Sequence, residues 1–189
     1  MKPIRTFIAI DVPAAQQKEI LRLQTALRSF LPHVRWVSPP LLHITLHFLG
    51  EVPAPELDKV AKAVAAGVKR CAPFAVLLQG VGGFPPRPSP RVIWLGVAAG
   101  AAELRRLYAV LADELALSGF SPGQEEYHPH VTLGRVPVRL PAAVWQEVAQ
   151  RFAGVEVGPF PASEVRVVRS DLTPHGPQYT TLASFPLEG

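Results

Sequence analysis

Two patterns of apolar residues divide the chain into predicted strands and helices. Alternation of apolar and polar positions is typical of a strand with one buried face, and recurrence every three or four positions is typical of a helix with one buried face. Residues 5–12 predict a strand that ends at Asp-Val-Pro, and residues 14–31 then carry apolar side chains at helical spacing until Pro32. The chain therefore begins with a strand followed by a helix.

The same alternation of elements continues to the C-terminus. Further strands are predicted at residues 43–49, 74–81, 91–97, around His130, and near Val165 and Tyr179. Further helices are predicted at residues 55–69, 101–118 and 141–152, and loops rich in Gly, Pro or polar residues at 82–90 and 121–126. Short links between strands, such as one around Gly158 and Pro159, favour antiparallel pairing, so the predicted fold class is α+β. The length of 189 residues suits one domain, residues 1–189.

A His-x-Thr-Leu segment occurs once in each half of the chain, as H43-I-T-L46 and as H130-V-T-L133. Strict alternation along a strand places His43 and Thr45 on one face, and His130 and Thr132 on one face of the second strand. If the two strands face each other, two imidazoles and two hydroxyls meet across a groove. One such segment alone is weak evidence, but the repetition indicates a site shared by both halves.

Two imidazoles with two hydroxyls suit displacement at phosphorus. A neutral histidine can accept a proton from an attacking water while a protonated one delivers a proton to the leaving oxygen. An unperturbed pKa of about 6.5 lets both forms coexist near neutrality. Threonine hydroxyls donate to non-bridging phosphate oxygens without adding charge. A strained cyclic phosphodiester is an apt substrate, and because the segments contain no carboxylate for a divalent ion, no metal and no cofactor are predicted.

Composition narrows the class of protein. Hydrophobic residues make up 48% of the chain and charged residues 18%, which indicates a globular protein with a buried core. The net charge of +4 favours anionic partners, without the dense basic tract of a duplex-coating protein. The single cysteine, Cys71, allows no internal disulfide, and no apolar run approaches the roughly 18 residues of a membrane span. We therefore predict a cytoplasmic protein with no membrane contact and no obligate protein partner.

Five segments in order extend the motifs into a family resemblance. They are R5-T-F-I-A-I-D-V-P13, L42-H-I-T-L-H-F-L-G-E-V52, R91-V-I-W-L-G96, Y127-H-P-H-V-T-L-G-R135 and S170-D-L-T-P-H-G-P-Q-Y179. Together they resemble the two-histidine phosphoesterases, specifically the bacterial and archaeal RNA 2',3'-cyclic phosphodiesterases, also described as 2'-5' RNA ligases. The resemblance covers nearly the whole chain. It implies two lobes related by approximate two-fold symmetry, each an antiparallel sheet with outer helices, enclosing a central groove.

The resemblance also implies an activity and roles for the four motif residues. The activity is hydrolysis of a 2',3'-cyclic phosphate, at an RNA end or in a cyclic nucleotide, to the 2'-phosphomonoester, with a possible reverse 2'-5' joining of RNA. His43 corresponds to the general acid, His130 to the general base, and Thr45 and Thr132 to the phosphate-orienting hydroxyls. The choice of acid and base comes from the resemblance alone, because either order satisfies the local chemistry.

Three further residues are predicted to contact the substrate. Arg135 is expected to lend positive charge to the phosphate, although strict alternation from Thr132 places it on the opposite face. His47 is expected to line the groove or its rim, and Tyr127 to stack on a base. His128 is expected to have a structural or rim role.

Two other functions fit parts of this pattern. His43, His47, His128 and His130 supply enough nitrogen ligands for zinc. Strand positions i and i+4 lie roughly 13 Å apart, however, so His43 and His47 would not readily share one ion, and a zinc site leaves the threonines unexplained. The other alternative is a module that binds RNA ends or cyclic nucleotides without turnover, which is consistent with the mild basicity.

Overall fold

The computed structural model describes residues 2–86, 88–120, 126–174 and 176–189. The strands of this part are β1 (Ile4–Asp11), β2 (Arg35–Trp36), β3 (His43–Val52), β4 (Phe74–Phe84), β5 (Val92–Val97), β6 (His130–Arg135), β7 (Glu156–Ala162), β8 (Glu164–Thr173) and β9 (Gly176–Pro186). The helices are α1 (Ala14–Arg28), α2 (Leu57–Val68), α3 (Ala101–Leu117) and α4 (Ala142–Arg151). Short 3₁₀ turns at Pro39–Leu41 and Ala54–Glu56 precede β3 and α2.

The strands form one antiparallel sheet that consists of two halves. The order is β7-β4-β5-β6-β3-β1-β8-β9. The short strand β2 pairs with the end of β6, on the edge that faces away from β5. One half contains β7, β4, β5 and β6, and the other contains β3, β1, β8 and β9. The halves join where β3 pairs with β6, at Ile44 and Val131. This arrangement confirms the predicted α+β class with paired antiparallel halves.

The helices cover one face of the sheet. Their apolar positions recur every three or four residues, so each helix buries one stripe, which in α3 consists of Leu104, Leu107, Leu111 and Leu115. These side chains join the main core with strand residues from both halves, such as Ile8, Ile44, Leu95 and Val131. A separate small cluster on the other side of β1 contains Phe7, Ala9 and Val168, with Tyr179 packed against it. Motif side chains on that second side are therefore free to form a groove.

Several predicted boundaries shift. Helix α1 ends at Arg28 rather than at residue 31, where Pro32 disfavours helical geometry in the residue before it. Strand β3 continues past residue 49 through Gly50, whose φ of +69° is a conformation that glycine adopts without strain. The predicted loop 121–126 lies outside the described residues except for Glu126.

Two predictions based on glycine and proline content are wrong. The predicted loop 82–90 begins three residues later, because Gly82 and Gly83 lie inside β4. Gly82 is required there by packing, since a Cβ atom would lie 2.2 Å from the Trp94 ring. The predicted link at Gly158 and Pro159 is the middle of strand β7, which the sequence patterns did not indicate.

Candidate active site

The two His-x-Thr segments meet where the halves of the sheet join. Ile44 and Val131 are paired antiparallel, so the neighbouring positions on each strand also oppose each other. This register brings His43 beside Thr132 and Thr45 beside His130, on the face opposite to Ile44 and Val131. The pairing has local two-fold symmetry, which exchanges one His-x-Thr segment with the other. In the folded protein, the repeated sequence thus forms a symmetric arrangement of two imidazoles and two hydroxyls.

Both imidazoles are held in the same way by the backbone. Nδ1 of His43 lies 2.7 Å from the carbonyl oxygen of Leu41, and Nδ1 of His130 lies 2.7 Å from that of His128. Because a carbonyl only accepts, each Nδ1 carries the hydrogen and donates, which leaves Nε2 of the neutral ring as an acceptor. Nε2 of His43 is 3.0 Å from Oγ1 of Thr45, whose hydroxyl can donate to it. Each ring is therefore oriented with its reactive nitrogen away from the backbone.

Aromatic side chains surround both imidazoles. The His43 ring centroid lies 4.9 Å from that of Phe7 and 5.5 Å from that of Tyr179. The His130 ring lies 5.0 Å from Phe84 in an edge-to-face arrangement. These contacts restrict the rings further and exclude water from one side of each.

Burial lowers the pKa of both histidines, and at each the backbone carbonyl that accepts from Nδ1 opposes this effect. At His43, the negative charge of Asp11 opposes the effect of burial and raises the pKa. At His130, the charges of the His128 and His43 rings lower the pKa further. The charged neighbours of the two rings thus differ, because Asp11 favours an imidazolium at His43, whereas the His128 and His43 rings disfavour one at His130.

Each motif is followed by an extra residue in its strand. Thr45 and His47 pair with consecutive residues of β1, so Leu46 has no partner there. Leu133 has the same position in β6, between two residues that pair with consecutive residues of β5. Such a β-bulge shifts the alternation of side chains by one position. Both strands consequently bury two successive residues, 46–47 and 133–134, and the next residue of each is exposed.

The bulges turn Phe48 and Arg135 toward the groove, which they both line. Strict alternation predicted the opposite face for Arg135, and the bulge at Leu133 is the reason for the difference. The sequence analysis missed Phe48, which is 52% exposed despite its apolar ring. Its equivalence to Arg135 in the repeat is the signal that identifies it.

The prediction that His47 lines the groove or its rim is wrong. The bulge at Leu46 turns this side chain to the helix-covered side, where it is only 3% exposed. Its Nε2 donates to the carbonyl oxygen of Tyr108 at 2.8 Å, and the two rings stack at 4.1 Å. Burial lowers the pKa of His47.

Tyr127 also lies outside the groove, so its predicted stacking on a base is wrong. Its ring stacks on Tyr108 at 4.3 Å, and its hydroxyl donates to the backbone carbonyl of Thr45 at 3.0 Å. Burial raises the pKa of this phenol. Tyr127 therefore contacts the backbone of the first motif, although it lies three residues before His130 of the second motif in the chain.

The four histidines considered as zinc ligands do not converge on one point in this arrangement. His47 and His43 lie on opposite faces, and the ring nitrogen Nε2 of His47 is engaged by Tyr108. His128 is exposed, with its ring 4.8 Å from that of Trp94. No group of three or more His, Cys, Asp or Glu side chains suitable for a metal occurs among the residues that the structure describes.

The groove beside the motifs has a cavity volume of 810 Å³ and a basic lining. His43, Thr45 and Thr132 lie at one part of it. Its charged lining residues, in the described part of the chain, are Arg5, Arg35 and Arg135, with no Asp or Glu. The Arg5 guanidinium lies 4.6 Å above the centroid of the Phe48 ring. This combination of cations, hydroxyls and aromatic surface suits an anionic ligand that also has a flat apolar group.

Known proteins share this fold and sequence pattern. The sequence profile of the 2'-5' RNA ligase superfamily matches residues 12–174. A protein of Aeropyrum pernix named RNA 2',3'-cyclic phosphodiesterase is 40% identical over 82% of this chain and 90% of its own length. One of Methanothermobacter thermautotrophicus with the same name is 35% identical over 97% of this chain and 99% of its own length.

Solved structures give the same result. A Thermus thermophilus protein superposes with a TM-score of 0.83 and 32% identity, over 98% of this chain and 99% of its own. E. coli LigT in complex with 3'-AMP superposes with a TM-score of 0.77 and 27% identity, over 99% of each chain. The chain belongs to the 2'-5' RNA ligase superfamily. No helix in the described ranges is long and apolar enough to cross a membrane.

Proposed function

We propose that this protein hydrolyses 2',3'-cyclic phosphates, at RNA ends or in cyclic nucleotides, to 2'-phosphomonoesters. The observation that carries this proposal is the symmetric placement of His43, Thr45, His130 and Thr132 around one β-sheet junction, with both Nδ1 atoms held by carbonyl groups. The relatives named RNA 2',3'-cyclic phosphodiesterase, at up to 40% identity, support the same activity.

The reaction follows from the roles of the two Nε2 atoms. Nε2 of His130 accepts a proton from water as the water oxygen bonds to phosphorus. The bond between phosphorus and the 3'-oxygen breaks, and that oxygen takes the proton from Nε2 of His43. Thr45 and Thr132 donate hydrogen bonds to the non-bridging oxygens, and Arg135 supplies positive charge. A 5'-hydroxyl of another RNA end in place of the water would form a 2'-5' linkage.

The neighbours of the two histidines support His43 as acid and His130 as base. Asp11 stabilises an imidazolium at His43, whereas the charge of a protonated His128 or His43 ring disfavours one at His130. A general acid must begin protonated and a general base neutral, so these charged neighbours favour this order.

The proposal also covers the cofactor requirement, the domain organisation and the cellular location of the protein. Acid, base and hydrogen-bond donors all come from side chains, so no metal ion or other cofactor is required. We propose that residues 1–189 act as one two-lobed domain without an obligate protein partner. The cytoplasmic location stays a prediction, which cell fractionation would test.

Phosphorus NMR of adenosine 2',3'-cyclic phosphate in excess chelator tests the activity. The intact protein is expected to form the 2'-monophosphate, and His43→Ala and His130→Ala to lose about 10²- to 10⁴-fold in rate. His33→Ala is the matched control, because His33 is exposed outside the groove lining. Near-normal turnover by either motif variant would contradict the mechanism. Binding of the cyclic phosphate without any product would favour a binding module instead.

A further inference from the structure

Two arginines face each other across neighbouring strands at the outer part of the groove. Arg35 of β2 pairs with Arg135 of β6, and both side chains line the groove. Like charges directly opposite on neighbouring strands repel and destabilise a sheet. Neither guanidinium forms a salt bridge with an acidic group among the described residues. The groove therefore contains a concentrated positive charge that no carboxylate of this part of the chain neutralises.

The structure holds this pair together firmly. Gly134 allows β2 to approach β6 closely, since a Cβ atom there would lie 2.6 Å from Cγ1 of Val34 and 3.1 Å from the carbonyl oxygen of Arg35. The buried amide of Gln24 donates to the carbonyl oxygens of Leu133, at 3.0 Å, and Val37, at 2.9 Å. Movement of β2 that would relieve the repulsion breaks these contacts.

The arginine pair is separated from the reacting histidines along β6. Arg135 lies three residues beyond Thr132, and one of the intervening residues is the bulge, so their Cα atoms are about 7 to 10 Å apart. Arg135 is long enough to reach back toward Thr132, whereas Arg35 lies on the next strand outward. One anion at the histidines leaves Arg35 without a charge partner, and the groove of 810 Å³ has room for a second anion.

We propose that Arg35 binds the phosphate on the 5'-oxygen of the terminal nucleoside, while Arg135 serves the reacting phosphate. An RNA end with a 2',3'-cyclic phosphate has that phosphate one ribose away from the reacting one, whereas a cyclic mononucleotide has none. The groove therefore selects RNA ends, or cyclic nucleotides with a 5'-phosphate, over cyclic nucleotides without one. This inference rests on the proposed function, because it places the cyclic phosphate at His43 and His130.

The kinetic test compares adenosine 2',3'-cyclic phosphate with the same compound carrying a 5'-phosphate and with the dinucleotide that ends in the cyclic phosphate. We expect kcat/KM to be at least about tenfold higher for the two larger substrates, and Arg35→Gln to bring these ratios close to one. Arg22→Gln makes the same change of charge on an exposed position of α1 and is expected to keep the ratios. Ratios near one in the intact protein, or unchanged ratios in Arg35→Gln, would overturn the proposal.

A binding test requires no turnover and so separates the two proposals. Calorimetry is expected to show that adenosine 2',5'-bisphosphate binds about tenfold more tightly than adenosine 2'-phosphate, and that Arg35→Gln removes the difference. That result in a protein that hydrolyses none of the substrates would retain the phosphate subsite and refute the proposed function. Equal affinities for the two ligands in the intact protein would refute the subsite.

Thermal unfolding tests the repulsion directly. Without ligand, Arg35→Gln is expected to raise the melting temperature by about 1 to 3 °C, because one of two opposing charges is removed, and Arg22→Gln to leave it unchanged. Adenosine 2',5'-bisphosphate is expected to raise the melting temperature of the intact protein by more than it raises that of the Arg35→Gln variant. A lower melting temperature in unliganded Arg35→Gln would contradict the premise of an unfavourable pair, and the proposal with it.

Discussion

The pKa values of His43 and His130 determine the pH at which the free protein reacts. Below the pKa of the base, His130 is protonated and cannot accept a proton, and above the pKa of the acid, His43 has no proton to give. Burial lowers both pKa values from 6.5. The optimum of kcat/KM lies midway between the two values and is therefore expected below pH 6.5.

The pH profile of kcat is expected to differ, because it reports the complex. The negative phosphate favours the imidazolium form of both histidines, so the optimum of kcat lies at higher pH than that of kcat/KM. Initial rates at limiting and saturating cyclic nucleotide across pH 4 to 9 measure both. A kcat/KM optimum above pH 7 would show that the lowered pKa values do not control the reaction.

At the scale of single elements, the bulges decide which side chains reach the groove. Alternation correctly predicts the face of His43, Thr45, His130 and Thr132, because these residues precede the bulges. It fails for His47 and Arg135, because they follow them. A bulge leaves no distinct local pattern in either segment, since it depends on the partner strand having one residue fewer.

Tyr127 connects the approach to β6 with the back of β3, and its hydroxyl is expected to position Thr45. Tyr127→Phe keeps the ring stacked on Tyr108 but removes the hydrogen bond to the Thr45 carbonyl. We expect a loss of about 1 kcal/mol in the free energy of unfolding and a severalfold lower kcat with little change in KM. Urea denaturation and steady-state kinetics measure the two effects. An unchanged kcat would limit Tyr127 to a structural role.

Gln24 links β2 to β6 through a polar contact inside the core. Gln24→Leu leaves the carbonyl oxygens of Val37 and Leu133 without this donor, so we expect a loss of about 2 kcal/mol in the free energy of unfolding. Gln16→Leu, at a half-buried position of the same helix, is the control. Urea denaturation compares the two. Equal stability of Gln24→Leu and the intact protein would show that the contact is dispensable.

At the scale of the whole molecule, one core extends through both halves. The main cluster contains Ile8 from one half and Leu95 from the other, and Ile44 is fully buried at the junction. We therefore expect circular dichroism and tryptophan fluorescence to report a single, coincident unfolding transition in urea. Ile44→Ala is expected to shift both probes together by about 3 kcal/mol. Two separate transitions would contradict the proposal of one domain.

The repeat, the alternation around each motif and the helical periodicities were sufficient to predict the fold class, most elements and the four motif residues. These features are local, because a side chain's face within an element depends on its neighbours in the chain. Strand β7 was missed because Gly158 and two prolines give it a loop-like composition, although it pairs with β4 along most of its length.

The chemistry of the site was readable from the sequence, which contains two equivalent histidines and two equivalent threonines. The way in which the two copies meet depends on the fold. The fold also turns Phe48 and Arg135 toward the groove and Tyr127 and His47 away from it. It also brought Arg35 opposite Arg135, although 100 residues separate them in the chain. The physical reason is that strand register, bulges and cross-strand pairs arise from contacts between distant residues, which a local pattern of apolar and polar positions does not contain.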